Sequence, residues 1–217
     1  MGTRNIILVK HKEEYKVAQY SQFDGYPRGN GHDVVKFLTR FDFDINHFKR
    51  KIDSLTYWTE EELNLLDESI KNNDITDAET KYPELSRELG PDIFDFIYNG
   101  NITKVFKHMG FVGSSLFCEW GWSINLDSGC LDCFRGFQKE PLTKEQPFYF
   151  LQDKMDKNDK YYPIKLICSI PFDELSKFVG KDDFSDYIYR IVEMGDKPIM
   201  DNGIPVLWED NIWKIQH

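Results

Sequence analysis

Thr3-Arg4-Asn5-Ile6-Ile7-Leu8-Val9, the polar link His11-Lys12-Glu13-Glu14 and Tyr15-Lys16-Val17-Ala18-Gln19-Tyr20-Ser21-Gln22-Phe23 open the chain. The first run is β-branched and aliphatic, and the second is strand-like, so the two flank the link as an N-terminal β-hairpin. Asp24-Gly25-Tyr26-Pro27-Arg28-Gly29-Asn30-Gly31 follows, a cluster of chain breakers that must be loop. Beyond it Val34, Val35, Phe37 and Leu38 recur at helical spacing, with Asp33 or Asn30 as the expected cap.

Working outward, residues 41–100 read as helical. Ile45, Phe48, Ile52 and Leu55 fall at three- and four-residue steps, and Leu63, Leu66 and Ile70 repeat the pattern. Thr59-Glu60-Glu61-Glu62 is a capping box, in which the Thr hydroxyl meets a free amide and Glu62 reaches back. Pro91 opens a short helix bearing Ile93, Phe94 and Ile97, and Gly100 closes it. After 101 the pattern turns to strands. Leu116 to Ile124 alternates, Asp127-Ser128-Gly129 makes the turn into Cys130 to Phe134, and Tyr162 to Ile170 is a further strand. Phe172 to Phe178 and Phe184 to Glu193 read as helical, and Val206 to Ile215 as a last hairpin. The expectation is a single α+β domain over 1–217: an antiparallel sheet from N- and C-terminal hairpins, with an acidic helical insertion at 41–100.

The charge is unevenly distributed. The 217 residues hold 27 Lys plus Arg and 37 Asp plus Glu, a net −10. Residues 41–100 hold 15 acidic against 6 basic residues, net −9, whereas the first 40 hold 7 basic against 4 acidic, net +3. A broad nucleic-acid face is not expected on such a chain. With 41% hydrophobic and 15% aromatic residues the chain is not disordered as a whole. No apolar run approaches the roughly 20 residues of a membrane span. Met1–Lys10 has no signal-peptide pattern, and Ile6 stands where a myristoylation signal wants Ser or Thr, so the expected location is cytoplasmic.

Chemistry concentrates in the glycine-rich loop. Gly25, Gly29 and Gly31 permit close backbone approach, Arg28 suits a phosphate or carboxylate, and Asp24, Tyr26 and His32 add polar or titratable groups. These seven residues are the ligand-binding candidates, with Arg4 and Glu119 in support; the competing reading is a plain turn joining hairpin to helix. No Lys-Ser/Thr follows as in a P-loop, and Val34 stands where a dinucleotide fingerprint needs its third glycine. Glu119, set among Trp120 and Trp122, is read first as solvated or as the partner of Arg4 or Arg135, and second as an acid or base of raised pKa. Alternation puts Cys118, Trp120, Trp122 and Ile124 on one face. Cys130 and Cys133 form a CxxC without a second pair, and on a strand they point to opposite faces, so neither metal nor redox cofactor is expected. His11, His32, His47, His108 and His217 show no ligand spacing and read as surface or loop residues.

Met1-Gly2-Thr3-Arg4-Asn5 followed by Gln22-Phe23-Asp24-Gly25-Tyr26-Pro27-Arg28-Gly29-Asn30-Gly31 resembles an uncharacterised family of bacteria, phages and fungi. That family starts MGTRN and carries a Q-(W/F)-DGYP-x-G-x-G loop. Ser115–Trp120, Ile124–Asp127 and Tyr161–Leu166 resemble its later blocks. The resemblance implies no established activity. The expected function is a binding or regulatory protein, of a mobile-element or defence-related kind, that meets a protein partner through its acidic lobe or its aromatic surface. The alternative is an enzyme or sensor for a small anion, such as a nucleotide or acyl amide, held at the loop.

Overall fold

The computed structural model describes residues 2–72, 78–155, 160–178, 180–194, 199–201, 204–209 and 212–215, with side chains to residue 193. In chain order the elements are β1 (Asn5–His11), β2 (Glu14–Ser21), α1 (His32–Thr39), α2 (Ile45–Asp53), β3 (Thr56–Tyr57), α3 (Glu60–Lys71), α4 (Ala78–Lys81), α5 (Ile93–Asn99) and β4 (Lys104–Val105). Then come β5 (Trp120–Asn125), β6 (Cys130–Arg135), β7 (Lys165–Pro171), α6 (Lys181–Met194), β8 (Ile199–Asp201), β9 (Ile204–Glu209) and β10 (Ile212–Ile215). The fold is α+β.

The main sheet runs β2-β1-β5-β6-β7, antiparallel except for the parallel pair β1–β5. Both of its faces are covered, which explains the unbroken apolar run at 6–9: a strand buried on two sides has no solvent face to alternate with. Ile7 and Val9 join Trp120, Trp122, Ile124, Leu131, Cys133, Cys168 and Ile170 beneath the helices. Ile6 and Leu8 join Ala18, Phe134 and Leu166 on the other face, under Val112, Leu142, Phe148 and Ile164. The β1–β2 turn places Lys12 and Glu13 at φ 54° and 63°, and Asp127 of the β5–β6 turn accepts from both of their amides at 2.7 and 2.8 Å. Along the outer edge of β2, the His108 amide donates to the Ala18 carbonyl at 2.9 Å and its Nδ1 accepts from the Tyr20 amide at 3.3 Å. These bonds cap the β2 edge at Ala18 and Tyr20 against pairing with another strand.

The C-terminal hairpin exists as β9–β10, but it forms its own three-stranded sheet with β8 rather than joining the main one. The hairpin β5–β6 and strand β7 take that place, because their alternating residues match the two buried faces of β1. Strand β5 starts at Trp120, later than the alternation from Leu116 predicts, since Ser114–Cys118 is a turn in which Phe117 and Cys118 amides return to the Ser114 carbonyl. That turn swings Cys118 to the face of Ile6 and Phe134, away from Trp122.

Among the described residues of 41–100 the regular elements are helices and helical turns, except for β3, which pairs with β4 in parallel. The capping box is present in both directions: the Glu62 amide donates to Thr59 Oγ1 at 3.2 Å and the Thr59 amide to Glu62 Oε2 at 2.9 Å. Gly100 ends α5 in the left-handed region, at φ 79°. Phe48, Ile52, Ile93, Phe94 and Ile97 belong to the same core as Trp122, and Phe37, Phe43, Phe48, Phe94 and Tyr98 form a ring cluster beneath the Arg40 guanidinium. Among the described residues no helix is long and apolar enough to cross a membrane.

Candidate functional site at one end of the sheet

The starts of β1 and β5 and the ends of β2 and β6 lie at one end of the sheet, and the glycine-rich loop leaves from there. Its shape is set from inside. The Gly25 amide donates to the Thr3 carbonyl at 2.9 Å, and the buried indole Nε1 of Trp122 donates to the Gly25 carbonyl at 2.9 Å. A Cβ on Gly25 would lie 2.6 Å from Asn5 Cβ, and one on Gly31 would lie 2.7 and 2.8 Å from the Trp122 ring. A Cβ on Gly29 would collide with the Asp24 carbonyl oxygen. Pro27–Gly31 forms a wide helical turn leading into α1, and neither Asn30 nor Asp33 caps that helix with its side chain. Asn30 Nδ2 instead donates inward, to Asn5 Oδ1 at 3.3 Å, Ser21 Oγ at 3.2 Å and the Phe23 carbonyl at 3.0 Å.

The amides of the three glycines, the donors expected to meet an anion, are spent within the protein. Gly29 and Gly31 amides bond to the Tyr26 carbonyl and the Asn30 amide to that of Asp24. Arg28 Nε sits 3.1 Å from Asp182 Oδ1 on α6, an exposed ion pair. The Tyr26 hydroxyl donates to Asp24 Oδ1 at 3.2 Å, and that bond holds the phenol pKa above its usual range. His32 lies behind the loop, buried, with no hydrogen bond to either ring nitrogen. Burial, followed by the nearby Lys36 charge, pushes its pKa below the usual imidazole value. His11 is also buried rather than superficial, with Asp53 Oδ1 3.4 Å from Nε2 and Asp127 Oδ1 3.5 Å from Nδ1.

Outside the loop the same end of the sheet is aromatic and cationic. Glu119 takes no side-chain ion pair with Arg4 or Arg135 among the described residues; its Oε1 accepts from the Arg4 amide at 3.3 Å, and its carbonyl from Arg135 Nη1 at 2.8 Å. The two guanidiniums stack on rings instead. Arg4 Cζ lies 4.6 Å over Phe117, and Arg135 Cζ lies 4.3 Å over Trp120 and 5.0 Å from Phe137. Tyr189 of α6 meets Trp120 edge-on at 5.8 Å, and Trp120 stacks on Trp122. Phe23, Tyr26, Leu116, Phe117, Phe137 and Tyr189 are all exposed.

Of the sequence candidates, Asp24, Tyr26 and Arg28 lie on the outer surface of the loop, Arg4 and Glu119 lie beside it, and Gly25, Gly31 and His32 lie inside. Sequence reading passed over Phe117, Phe137 and Tyr189. Tyr189 was detectable, because it falls off the Phe184–Ile188–Ile191 stripe that α6 buries. Phe117 was not, because its strand-like setting concealed a turn. Cys130 and Cys133 point to opposite faces of β6, and Cys133 stands opposite Cys168 on β7, both thiols buried and free. Compared with known proteins, the chain matches no family model, no curated protein and no solved structure.

Proposed function

We propose that the chain is a binding module that receives a protein partner on the arginine–aromatic end of its main sheet. The observation carrying this reading is the pair of guanidiniums, Arg4 and Arg135, held over the rings of Phe117, Trp120 and Phe137 at a surface where six large apolar side chains are exposed. A stacked guanidinium loses little further freedom on binding and presents its N–H edges to carboxylates. Exposed Tyr26 and Tyr189 and the two arginines are of the residue types that dominate binding energy where proteins meet. The partner that fits is apolar with acidic side chains.

The acidic lobe supports a second contact, with a basic partner. Glu60, Glu61, Asp67 and Glu68 of α3 are exposed together with Leu65, so that helix offers charge and apolar area at once. The small-anion alternative draws less support, because the amides of Gly25, Gly29, Asn30 and Gly31 are bonded within the protein and Arg28 holds Asp182.

Site-specific photo-crosslinking tests the first reading. A photoreactive residue replacing Phe117 or Tyr189 should trap a discrete partner in the native host. The same residue replacing the exposed Phe150, outside the patch, should not. Equal trapping from all three positions would sink the proposal.

A further inference from the structure

We infer that the occupant of the arginine–aromatic face is the acidic helix α3 of a second copy of this chain, so that the protein self-associates head to tail. The inference rests on the reading above and adds the identity of the partner. Helix α3 turns Leu66 into the lobe and leaves Leu65 outside. Glu61, Leu65 and Glu68 fall at i, i+4 and i+7, one stripe of the helix, with the apolar side chain between two carboxylates. Glu60 and Asp67 flank that stripe. The sheet end has the matching arrangement: exposed Phe117 and Phe137 beside the guanidiniums of Arg4 and Arg135. An amphipathic helix laid on such a surface is a standard mode of recognition, with Leu65 entering between rings and Glu61 and Glu68 meeting the guanidinium edges.

The charge distribution favours the same pairing. Residues 41–100 carry net −9, so a lobe meeting a lobe repels, whereas the α3 carboxylates meeting the guanidiniums of Arg4 and Arg135 attract. The two faces belong to different elements, and α3 is tied to the β3–β4 pair by the Glu62–Lys104 ion pair. A contact between unlike faces is heterologous, leaving one unused face on each copy, so it continues into a ring or an open chain. Screening shortens the reach of exposed charges to about 8 Å at physiological ionic strength, so salt opposes the assembly.

Sedimentation velocity of the full chain tests this. The wild type should gain mass as its concentration rises at low salt and lose it in 0.5 M salt, taken as about a 3 Å to 5 Å screening length. Arg4→Glu with Phe117→Ser should abolish growth from one face, and Glu61→Lys with Glu68→Lys from the other, each by about ten-fold or more in apparent affinity. Mixed in equal amounts, the two variants retain one intact face of each kind and should form a dimer and nothing larger. Circular dichroism confirms that each remains folded; if the sheet-end variant does not, Arg4→Ala replaces it. A wild type that stays monomeric at every concentration overturns the inference, as do variants that assemble like the wild type or a mixture that fails to pair. A monomeric wild type alongside a foreign partner trapped through Phe117 would remove the second copy and leave the docking face standing.

Discussion

The glycine-rich loop at 24–31 and helix α3 look like opposites in sequence, and their roles in the fold reverse that impression. The loop has the residues of a ligand site, yet its glycines admit Asn5, Asp24 and Trp122, and Asn30 points into a buried amide network. Helix α3 has the residues of a solubilising surface, yet it leaves Leu65 exposed between carboxylates, anchored by Leu66, a capping box and Lys104. Residue types that commonly hold ligands are here committed to folding. Those that commonly face water stay free to bind.

The comparison breaks if the loop can be loosened without cost. Trp122→Ala removes a fully buried indole and leaves the Gly25 carbonyl without its donor. The expected loss is about 3–5 kcal/mol, read as a lower urea midpoint. A loss under about 1 kcal/mol would mean that the loop is not held from below. Gly31→Ala sharpens the same point, because its new methyl meets the Trp122 and Phe184 rings within 3.0 Å. It should cost about 1–3 kcal/mol, with Trp fluorescence altered, whereas a neutral result would show that those rings move aside freely. In α3 the corresponding change is smaller. Thr59→Ala removes one side of the capping box and should cost about 1 kcal/mol, with hydrogen exchange rising in the first turn of α3 and unchanged in β1. Faster exchange in both would mean that α3 and the sheet open together. Leu65→Ser should alter stability by no more than about 0.5 kcal/mol while reducing self-association.

The same contrast explains what was legible in the sequence. The hairpin β1–β2, the capping box and the body of α6 depend on local signals, namely alternation, turn residues and i, i+3 or i+4 spacing, and all three form where the pattern puts them, although α6 begins at Lys181, three residues before the expected Phe184. The pairing of β1 with β5 is parallel and joins residues more than a hundred apart, which no local period encodes. Leu116–Glu119 alternates like strand but turns, because Ser114 offers its carbonyl to two amides at once. The loop's residues were correctly singled out as unusual. Whether Asn30 and Gly25 face a ligand or the core depends on Asn5, Ser21 and Trp122, which reach them only after the sheet has formed. Glu119 was read as solvated or as the partner of Arg4 or Arg135, and the nearby rings of Phe117, Trp120 and Phe137 took those guanidiniums instead.

The smallest expected effect separates the two regions by pH. Folding buries His32 without a hydrogen-bond partner, near Lys36 and Lys181 as well as Asp33 and Asp183, and the balance holds its pKa below the usual 6.5. As pH falls past 6.5, the unfolded chain takes up a proton that the folded chain refuses, so stability declines until the lowered native value is passed. His108 is shifted downward by burial too, so it contributes a slope of the same sign. His32→Leu should therefore reduce, and not eliminate, the fall in stability below pH 6.5, measured by urea unfolding at steps through that range. An unchanged slope would mean that the imidazole meets a partner in solution. Glu62 of α3 behaves differently: its hydrogen bond to Lys104 holds its pKa below the usual 4.5, so its contribution is retained until the pH falls below that value. Acidification from neutrality should thus act on the inward-facing loop first and on the ion pair of α3 only later, an order that hydrogen exchange in Asn30–Val35 and Glu60–Leu66 would reveal.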